Sequence, residues 1–152
     1  MEKFDYGIIG GGPAGYTAGI NLAKQGYTVV LFEKNKLGGT CLNKGCIPTK
    51  SILHSAEIYR NLKFISELTN DENFPQHFVL DYSKVIEKKD KIVEKVRKSL
   101  ELAVKNSGVK TVYEEACIKD KKEGIYTVIR CDDYYKDTSK ELKEAGSYEE
   151  LF

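Results

Sequence analysis

Neither sign of charge dominates this chain: 24 Lys and Arg stand against 23 Asp and Glu, a net charge of +1 over 152 residues. Without a basic excess there is no face for nucleic acid, and without an acidic tail there is no case for a basic partner. Long apolar runs are missing too, and no stretch approaches the roughly 20 residues that a membrane-spanning helix needs. The start, Met1-Glu2-Lys3-Phe4-Asp5-Tyr6-Gly7, has neither the basic leader nor the apolar core of a signal peptide. No internal repeat or low-complexity tract is present. The expectation is a globular, cytoplasmic chain of ordinary domain size with no nucleic-acid or membrane partner. In a reducing compartment a close cysteine pair points to catalysis or metal binding rather than to a structural disulfide.

What is present begins with a short apolar run, Phe4 to Ile9, followed by Gly10-Gly11-Gly12-Pro13-Ala14-Gly15 and a helical pattern through Ala23, with Gly26 as its stop. A second strand is expected at Thr28 to Phe32, which completes one βαβ unit. Residues Ser51 to Leu62 read as a helix and Ser66 to Tyr82 as a turn-rich loop. Ser83 reads as the cap of a long amphipathic helix built on Val85, Ile86, Ile92, Val93, Val96, Leu100, Ala103 and Val104 and ended by Gly108. Short strands are expected at Lys110 to Tyr113 and Ile125 to Arg130, flanking a turn near Lys121 to Gly124. Beyond Cys131 the pattern loosens into an acidic stretch.

Gly10, Gly12 and Gly15 stand in G-x-G-x-x-G register between strand and helix, and Glu33 closes the second strand. Gly10 permits the tight turn, Gly12 leaves bare backbone for a pyrophosphate, and Gly15 lets helix and strand approach, while the helix start supplies N–H donors. Glu33 can accept hydrogen bonds from the ribose hydroxyls of an adenosine, and its charge disfavours a 2′-phosphate. Strand before, helix after and acid at the next strand end make this an adenine dinucleotide site. The pattern does not separate FAD from NAD, and a glycine-rich turn in an unrelated α/β domain is the plainer alternative.

Just beyond lies Gly38-Gly39-Thr40-Cys41-Leu42-Asn43-Lys44-Gly45-Cys46-Ile47-Pro48-Thr49-Lys50. On a regular helix the Cα atoms of Cys41 and Cys46 would lie about 8.6 Å apart, too far for a disulfide, so a bridge needs a distorted turn. Gly38, Gly39 and Gly45 permit that distortion, and Pro48 withholds the N–H that would reach back to Lys44. A strained, accessible disulfide suits a redox cycle. A zinc clip would need a second pair, but Cys117 and Cys131 are too far apart and no histidine stands at ligand spacing. No metal is therefore expected; two unrelated buried thiols remain the other alternative. Cys117 and Cys131 read as buried thiols without a role, and His54 and His77 as ordinary polar residues. Lys50, one helical turn after Cys46, would favour a Cys46 thiolate.

The two motifs together resemble the class I pyridine nucleotide-disulfide oxidoreductases, the flavin family of dihydrolipoamide dehydrogenase, glutathione reductase and mercuric reductase. Cys41 to Lys50, Leu53-His54-Ser55-Ala56-Glu57, Tyr82-Ser83-Lys84-Val85 and Lys89-Asp90-Lys91 are most similar to the dihydrolipoamide dehydrogenase branch. The resemblance runs from about Phe4 to Arg130. It implies an α/β, Rossmann-like FAD-binding domain with a parallel sheet and helices, incomplete relative to the family, spanning 1–131 with an atypical tail at 132–152. It implies FAD rather than NAD at the first βαβ unit, with Gly10, Gly12, Pro13, Ala14, Gly15, Glu33, Lys34, Gly39, Thr40, Cys41, Lys50 and Ala116 as candidate contacts. Cys46 would lie against the flavin as the charge-transfer thiolate, Cys41 would exchange with the dithiol substrate, and Lys50 would sit near the flavin N5 edge.

The reaction implied is a dithiol oxidation: electrons pass from dihydrolipoyl groups of a 2-oxo acid dehydrogenase or glycine cleavage complex through Cys41 and Cys46 to FAD, and in the full-length family to NAD. Alternatives are a fragment of a related flavin reductase and a non-catalytic nucleotide-binding or thiol-sensing module. Glu114-Glu115-Ala116 stands where the family carries Gly-x-Gly or Gly-x-Ala, so only Ala116 fits. Glu144-Ala145-Gly146-Ser147 is a poor substitute for the Ala-Thr-Gly-Ser turn that returns the chain to the FAD sheet. The family's NAD-binding domain and its dimerisation domain, with the His-Glu pair that acts on the partner subunit of the homodimer, have no counterpart in the chain. Full turnover from these residues alone is not expected.

Overall fold

A computed structural model of the chain describes residues 2–69, 74–75, 78–122 and 125–130. His77, Cys131 and the tail at 132–152, including Glu144 to Ser147, lie outside the described residues. The chain divides into two compact units, one formed by the residues up to Leu37 together with those from Val104 onward, the other by Gly38 to Ala103.

The first unit is organised by β2 (Val29–Phe32), which pairs in parallel with β1 (Tyr6–Ile9) on one side and β3 (Lys110–Val112) on the other. Val29-Val30-Leu31 is apolar without alternation because a central parallel strand is covered on both faces, and Leu31 is 0% exposed. Parallel neighbours need a crossover, which α1 (Pro13–Lys24) supplies between β1 and β2. Gly19 is buried on that helix, and a Cβ there would already touch Ile8 at 3.4 Å and Val109 at 3.6 Å. The helix stops as expected at Gly26, whose N–H donates to the Ala23 carbonyl.

β1 starts two residues later than the expected Phe4. Asp5 is tied to Thr28 by both backbone and side chain: its N–H donates to the Thr28 carbonyl at 3.0 Å, and its Oδ2 accepts from the Thr28 N–H and the Thr28 hydroxyl, each at 2.7 Å. The expected strand at Ile125–Arg130 is β5, but its partner is a further strand, β4 (Ala116–Lys122), paired antiparallel with an irregularity between Ile118 and Asp120. Only the turn near Lys121 to Gly124 was expected here, because Lys119-Asp120-Lys121-Lys122 carries no alternation of apolar residues to mark a strand. Cys117, read as a buried thiol, is half-buried on β4 and disulfide-bonded.

The second unit holds α2 (Gly39–Asn43), α3 (Cys46–Leu68) and α4 (Tyr82–Asn106), whose last residues from Val104 belong to the first unit. The 23 residues of α3 exceed the expected Ser51–Leu62 at both ends. The cap of α4 is Asp81 rather than Ser83: Asp81 Oδ1 accepts from the Ser83 N–H at 3.0 Å and the Lys84 N–H at 3.4 Å, and the Ser83 hydroxyl donates to the same oxygen. A carboxylate two residues ahead of the first free N–H groups reaches them better than a hydroxyl already inside the helix. Val85 and Val93 are buried on the expected stripe, Val96 is exposed, and the far face carries Glu87–Lys91 and Glu94–Lys98 pairs at the favourable i,i+4 spacing. Among the described residues no helix is long and apolar enough to cross a membrane.

Candidate functional site

In the first unit the chain leaves β1 at Ile9 and turns on Gly10, whose φ of +103° is a left-handed conformation that glycine adopts without strain. The Gly10 N–H donates to the Phe32 carbonyl at 2.8 Å, so the turn is anchored to the end of β2. Gly12 is the N-cap of α1 and offers no side chain to its first N–H groups; Pro13 occupies the first turn, where its missing N–H costs nothing. No acidic residue lies in that turn. The helix therefore starts with unfilled donors and the positive end of its dipole.

Gly15 is required by packing: a Cβ there would stand 1.9 Å from the Gly10 carbonyl oxygen. A Cβ on Gly12 would meet nothing within 4 Å. That open space belongs to a cleft of about 490 Å³ lined by Ile8, Ile9, Gly10, Gly12, Pro13, Ala14 and Gly15. Bare backbone, open space and free N–H donors fit the pyrophosphate of a dinucleotide.

Glu33, read from sequence as a ribose acceptor, is 9% exposed and already serves the turn. Its Oε2 accepts from the Gly11 N–H at 2.9 Å and its Oε1 from the Asn35 N–H at 2.8 Å. A carboxylate has about four acceptor positions, so two internal bonds leave capacity for a diol. Beside it, Lys34 forms a solvent-exposed ion pair with Glu115, Nζ to Oε1 2.9 Å. Ala116 opens β4 opposite Arg130.

In the second unit the cysteines flank a helix break. Gly38, with φ +97°, leads into the five-residue α2, which ends at Lys44 (φ −136°, ψ −8°); Gly45 (φ −120°, ψ −101°) then starts α3 at Cys46. Gly39 and Thr40 lie in α2 directly ahead of Cys41. This is the distortion that glycine content led us to expect. Pro48 lies in the first turn of α3, where a helix has no use for its N–H, and the Thr49 N–H resumes the ladder by donating to the Gly45 carbonyl at 3.0 Å.

Cys41 is half-buried and Cys46 exposed, and both are free thiols. The break folds Gly45 back against Cys41, a Cβ there lying 3.5 Å from the Cys41 Cα, and the next residue, Cys46, acts on the Cys41 thiol. The Cys41 thiol is held above its ordinary range, first by the hydrogen bond to Cys46, then by burial and by the Cys46 charge. The Cys46 N–H and, more weakly, the Lys50 ammonium act in the opposite direction. Lys50 is exposed, and its ammonium acts weakly on Cys41. Cys46 is the first residue of a 23-residue helix, the end that favours negative charge.

Sequence reasoning missed the bracing of this segment. The Asn43 side-chain amide donates to the Gly39 carbonyl at 3.0 Å, and Arg97 Nη1 of α4 donates to Asn43 Oδ1 at 3.5 Å. No local signal could have revealed a contact between residues 54 positions apart. Among the described residues no group of His, Cys, Asp and Glu could hold a metal ion.

A dihydrolipoyl dehydrogenase of Bacillus subtilis is 41% identical over 106 residues, covering 69% of this chain and 23% of the relative. Dihydrolipoyl dehydrogenase of Chlamydia muridarum is 37% identical over 111 residues, 71% of this chain and 23% of the relative. The chain thus spans about a quarter of the length of these relatives. A solved structure, the Cu(II) complex of the HOCl-induced flavoprotein disulfide reductase RclA from Escherichia coli, superposes with a TM-score of 0.59 at 29% identity, covering 80% of this chain and 24% of that one. FAD is the cofactor this kinship brings, and the glycine turn has the features to hold it. With residues 4–141 matching its family model, the chain belongs to the pyridine nucleotide-disulphide oxidoreductases.

Proposed function

We propose that the chain is the FAD-binding, dithiol-bearing part of a dihydrolipoyl dehydrogenase. In this reading it passes electrons from dihydrolipoyl groups, carried by a 2-oxo acid dehydrogenase or glycine cleavage complex, through Cys41 and Cys46 to FAD. The observation that carries it is the helix break at Lys44 and Gly45, which sets Cys41 beside Gly45 and Cys46 and so supports a pair that alternates between dithiol and disulfide.

Gly12, Gly15 and the α1 start would take the pyrophosphate, and Glu33 the adenosine ribose; Pro13, Ala14, Lys34, Gly39, Thr40, Lys50 and Ala116 complete the proposed contacts. When bound, FAD supplies a two-electron acceptor and the family's route onward to NAD. The cysteines perform the exchange with substrate. One substrate thiolate attacks the Cys41 sulfur of the oxidised pair; a substrate–Cys41 disulfide forms, the Cys41–Cys46 bond breaks, and Cys46 departs as thiolate. The second substrate thiolate then attacks the substrate sulfur of that mixed disulfide, which releases Cys41 and closes the lipoyl disulfide. Substrate has lost two electrons and the pair has gained them.

The bonding of the two thiols supports this division of labour. Cys46 begins α3, the end of a helix that favours negative charge, and it is the sulfur left with the electron pair when the Cys41–Cys46 bond breaks, while the Cys41 thiol is held above its ordinary range by Cys46. NAD reduction, acid–base catalysis and homodimer formation belong to the whole protein in this proposal.

The test compares reductants on the oxidised chain, counting the thiols gained at Cys41 and Cys46 by mass. Dihydrolipoamide, whose second thiol resolves the mixed disulfide within one molecule, should reduce the pair faster than glutathione at equal thiol concentration. Equal rates, or a preference for glutathione, would contradict the dihydrolipoyl assignment and favour a related flavin reductase.

A further inference from the structure

We propose that Arg97 is a positioning residue for the cysteine pair: through Asn43 it holds the turn between Cys41 and Cys46 in the shape from which their disulfide closes. The inference rests on the reading of the two cysteines as a pair that alternates between dithiol and disulfide.

The segment that carries Cys41 has little stiffness of its own. It is the five-residue α2, and a helix of that length is not stable by itself in water. Gly38 and Gly39 open it and Gly45 follows it, so permissive backbone stands at each end of the stretch that must bring one sulfur to the other. The Leu42 N–H donates to the Gly38 carbonyl at 3.3 Å and the Lys44 N–H to the Thr40 carbonyl at 2.9 Å. Asn43 adds a side-chain tie, its amide nitrogen donating to the Gly39 carbonyl at 3.0 Å, which folds the end of α2 back on its start. Its Oδ1 accepts from Arg97 Nη1 at 3.5 Å. One orientation of the amide serves both bonds, nitrogen toward the carbonyl and oxygen toward the guanidinium.

Arg97 is placed for this by α4, a helix of 25 residues. It follows the buried Val93 by one turn, and its side chain is only 18% exposed. A charge on the packed side of an amphipathic helix needs partners. Glu101, one turn further on, lies 3.6 Å from Nε, so one edge of the guanidinium is held by α4 itself and the other reaches α2. The planar fork fixes the direction of both donors, which an ammonium on a flexible stem does not. The groups that move the Cys41 thiol from its ordinary range are Cys46 and Lys50, with burial. Arg97 is thus assigned to geometry, not to a field at the sulfur.

Closure of the pair by glutathione disulfide takes two exchanges. One cysteine thiolate attacks a glutathione sulfur; a mixed disulfide forms and one glutathione leaves as thiolate. The other cysteine thiolate attacks the protein sulfur of that mixed disulfide, forms the Cys41–Cys46 bond and expels the second glutathione. The pair has lost two electrons and the two glutathiones have gained them. The second exchange is intramolecular, so its equilibrium depends on the effective concentration of one sulfur at the other. Without the brace the dithiol gains conformational freedom, whereas the disulfide, already cross-linked, gains little. Loss of one hydrogen bond from the brace should therefore lower the equilibrium constant for closure by about three- to tenfold.

The experiment equilibrates the whole chain anaerobically with mixtures of glutathione and glutathione disulfide, quenches with an alkylating reagent and measures the oxidised fraction of the Cys41–Cys46 pair by peptide mass. Arg97→Met, Arg97→Lys and Asn43→Ala should each lower the closure constant by about three- to tenfold. Arg97→Lys keeps the charge and the helix propensity of α4, so it carries the test if Arg97→Met disturbs the helix in circular dichroism. Adding Arg97→Lys to Asn43→Ala should cause no further shift, because Arg97 acts through that amide. A wild-type closure constant in Arg97→Lys, or additive losses in the double variant, would overturn the proposal. A wild-type chain that forms no Cys41–Cys46 disulfide at any glutathione ratio would overturn the dithiol reading itself, and this inference with it.

Discussion

The Gly11 N–H donates to Glu33 Oε2 at 2.9 Å, tying the glycine turn to the end of β2 across 22 residues of sequence. The other oxygen accepts from Asn35, so one carboxylate fixes the backbone on both sides of the proposed ribose position. Glu33→Ala should therefore do more than remove a ligand contact. Leaving the Gly11 and Asn35 donors without partners should cost about 1–3 kcal/mol, read as a lowered denaturation midpoint. Glu33→Gln, which keeps one acceptor oxygen, should lose less. Equal stability of Glu33→Ala and wild type would show that the turn does not depend on this carboxylate.

Two glycines of the same turn should fail in different ways. Gly15→Ala places a methyl 1.9 Å from the Gly10 carbonyl oxygen, and a clash with backbone cannot be relieved by a rotamer change. Its cost should reach about 3 kcal/mol or more, seen in chemical denaturation. Gly12→Ala meets no atom and should leave the midpoint within about 1 kcal/mol of wild type, yet it fills the space assigned to the pyrophosphate and should weaken FAD retention at least tenfold. Normal FAD retention by Gly12→Ala would remove the pyrophosphate from this turn.

The thiols should alkylate in order as pH rises. Raising the Cys41 thiol above its ordinary range means that its thiolate appears later than in an unperturbed cysteine, so iodoacetamide should modify Cys46 first. Cys46→Ala deletes the leading cause of that shift, and Cys41 labelling should then move to lower pH. Peptide mass mapping of the reduced chain at a series of pH values measures both. Cys41 labelling ahead of Cys46 would reverse the roles given to them.

At the start of α4 the pH dependence has the opposite sign. Asp81 is held below the ordinary carboxylate value, first by the Ser83 hydroxyl and then by the Lys84 and Ser83 N–H groups. Its contribution is complete above the unfolded value of about 3.9 and is lost as pH falls through the lower folded value. Helical circular dichroism of the wild-type chain should thus fall further in acid than that of Asp81→Asn, a cap that does not titrate, while Asp81→Ala should show the loss at neutral pH too. Identical acid profiles for wild type and Asp81→Asn would remove Asp81 as the cap.

Much of the fold and of the site was legible in the sequence because it depends on local chemistry. Gly10, Gly12 and Gly15 mark a turn that few other residues could make, and Gly45 with Pro48 marks the interruption between two cysteines that a continuous helix would hold apart. What escaped depends on partners distant in the chain. β4 hides behind Lys119-Asp120-Lys121-Lys122, since a strand supported by pairing with β5 need not alternate. The second task of Glu33, accepting from the Gly11 N–H, was hidden because Gly11 lies 22 residues back in the chain. Asp81 and Ser83 are both good cap residues, and only the geometry of the helix start chooses between them.

The central claim is that a flavin held at the Gly10–Gly15 turn exchanges electrons with the Cys41–Cys46 pair. The most direct measurement is the anaerobic absorption spectrum of the FAD-reconstituted chain during titration with dihydrolipoamide. The account predicts a yellow protein that gains a long-wavelength band on dithiol reduction, with the band lost in Cys46→Ser and strengthened in Cys41→Ser. A protein that stays colourless after reconstitution, or a band that survives in Cys46→Ser and disappears in Cys41→Ser, would contradict it.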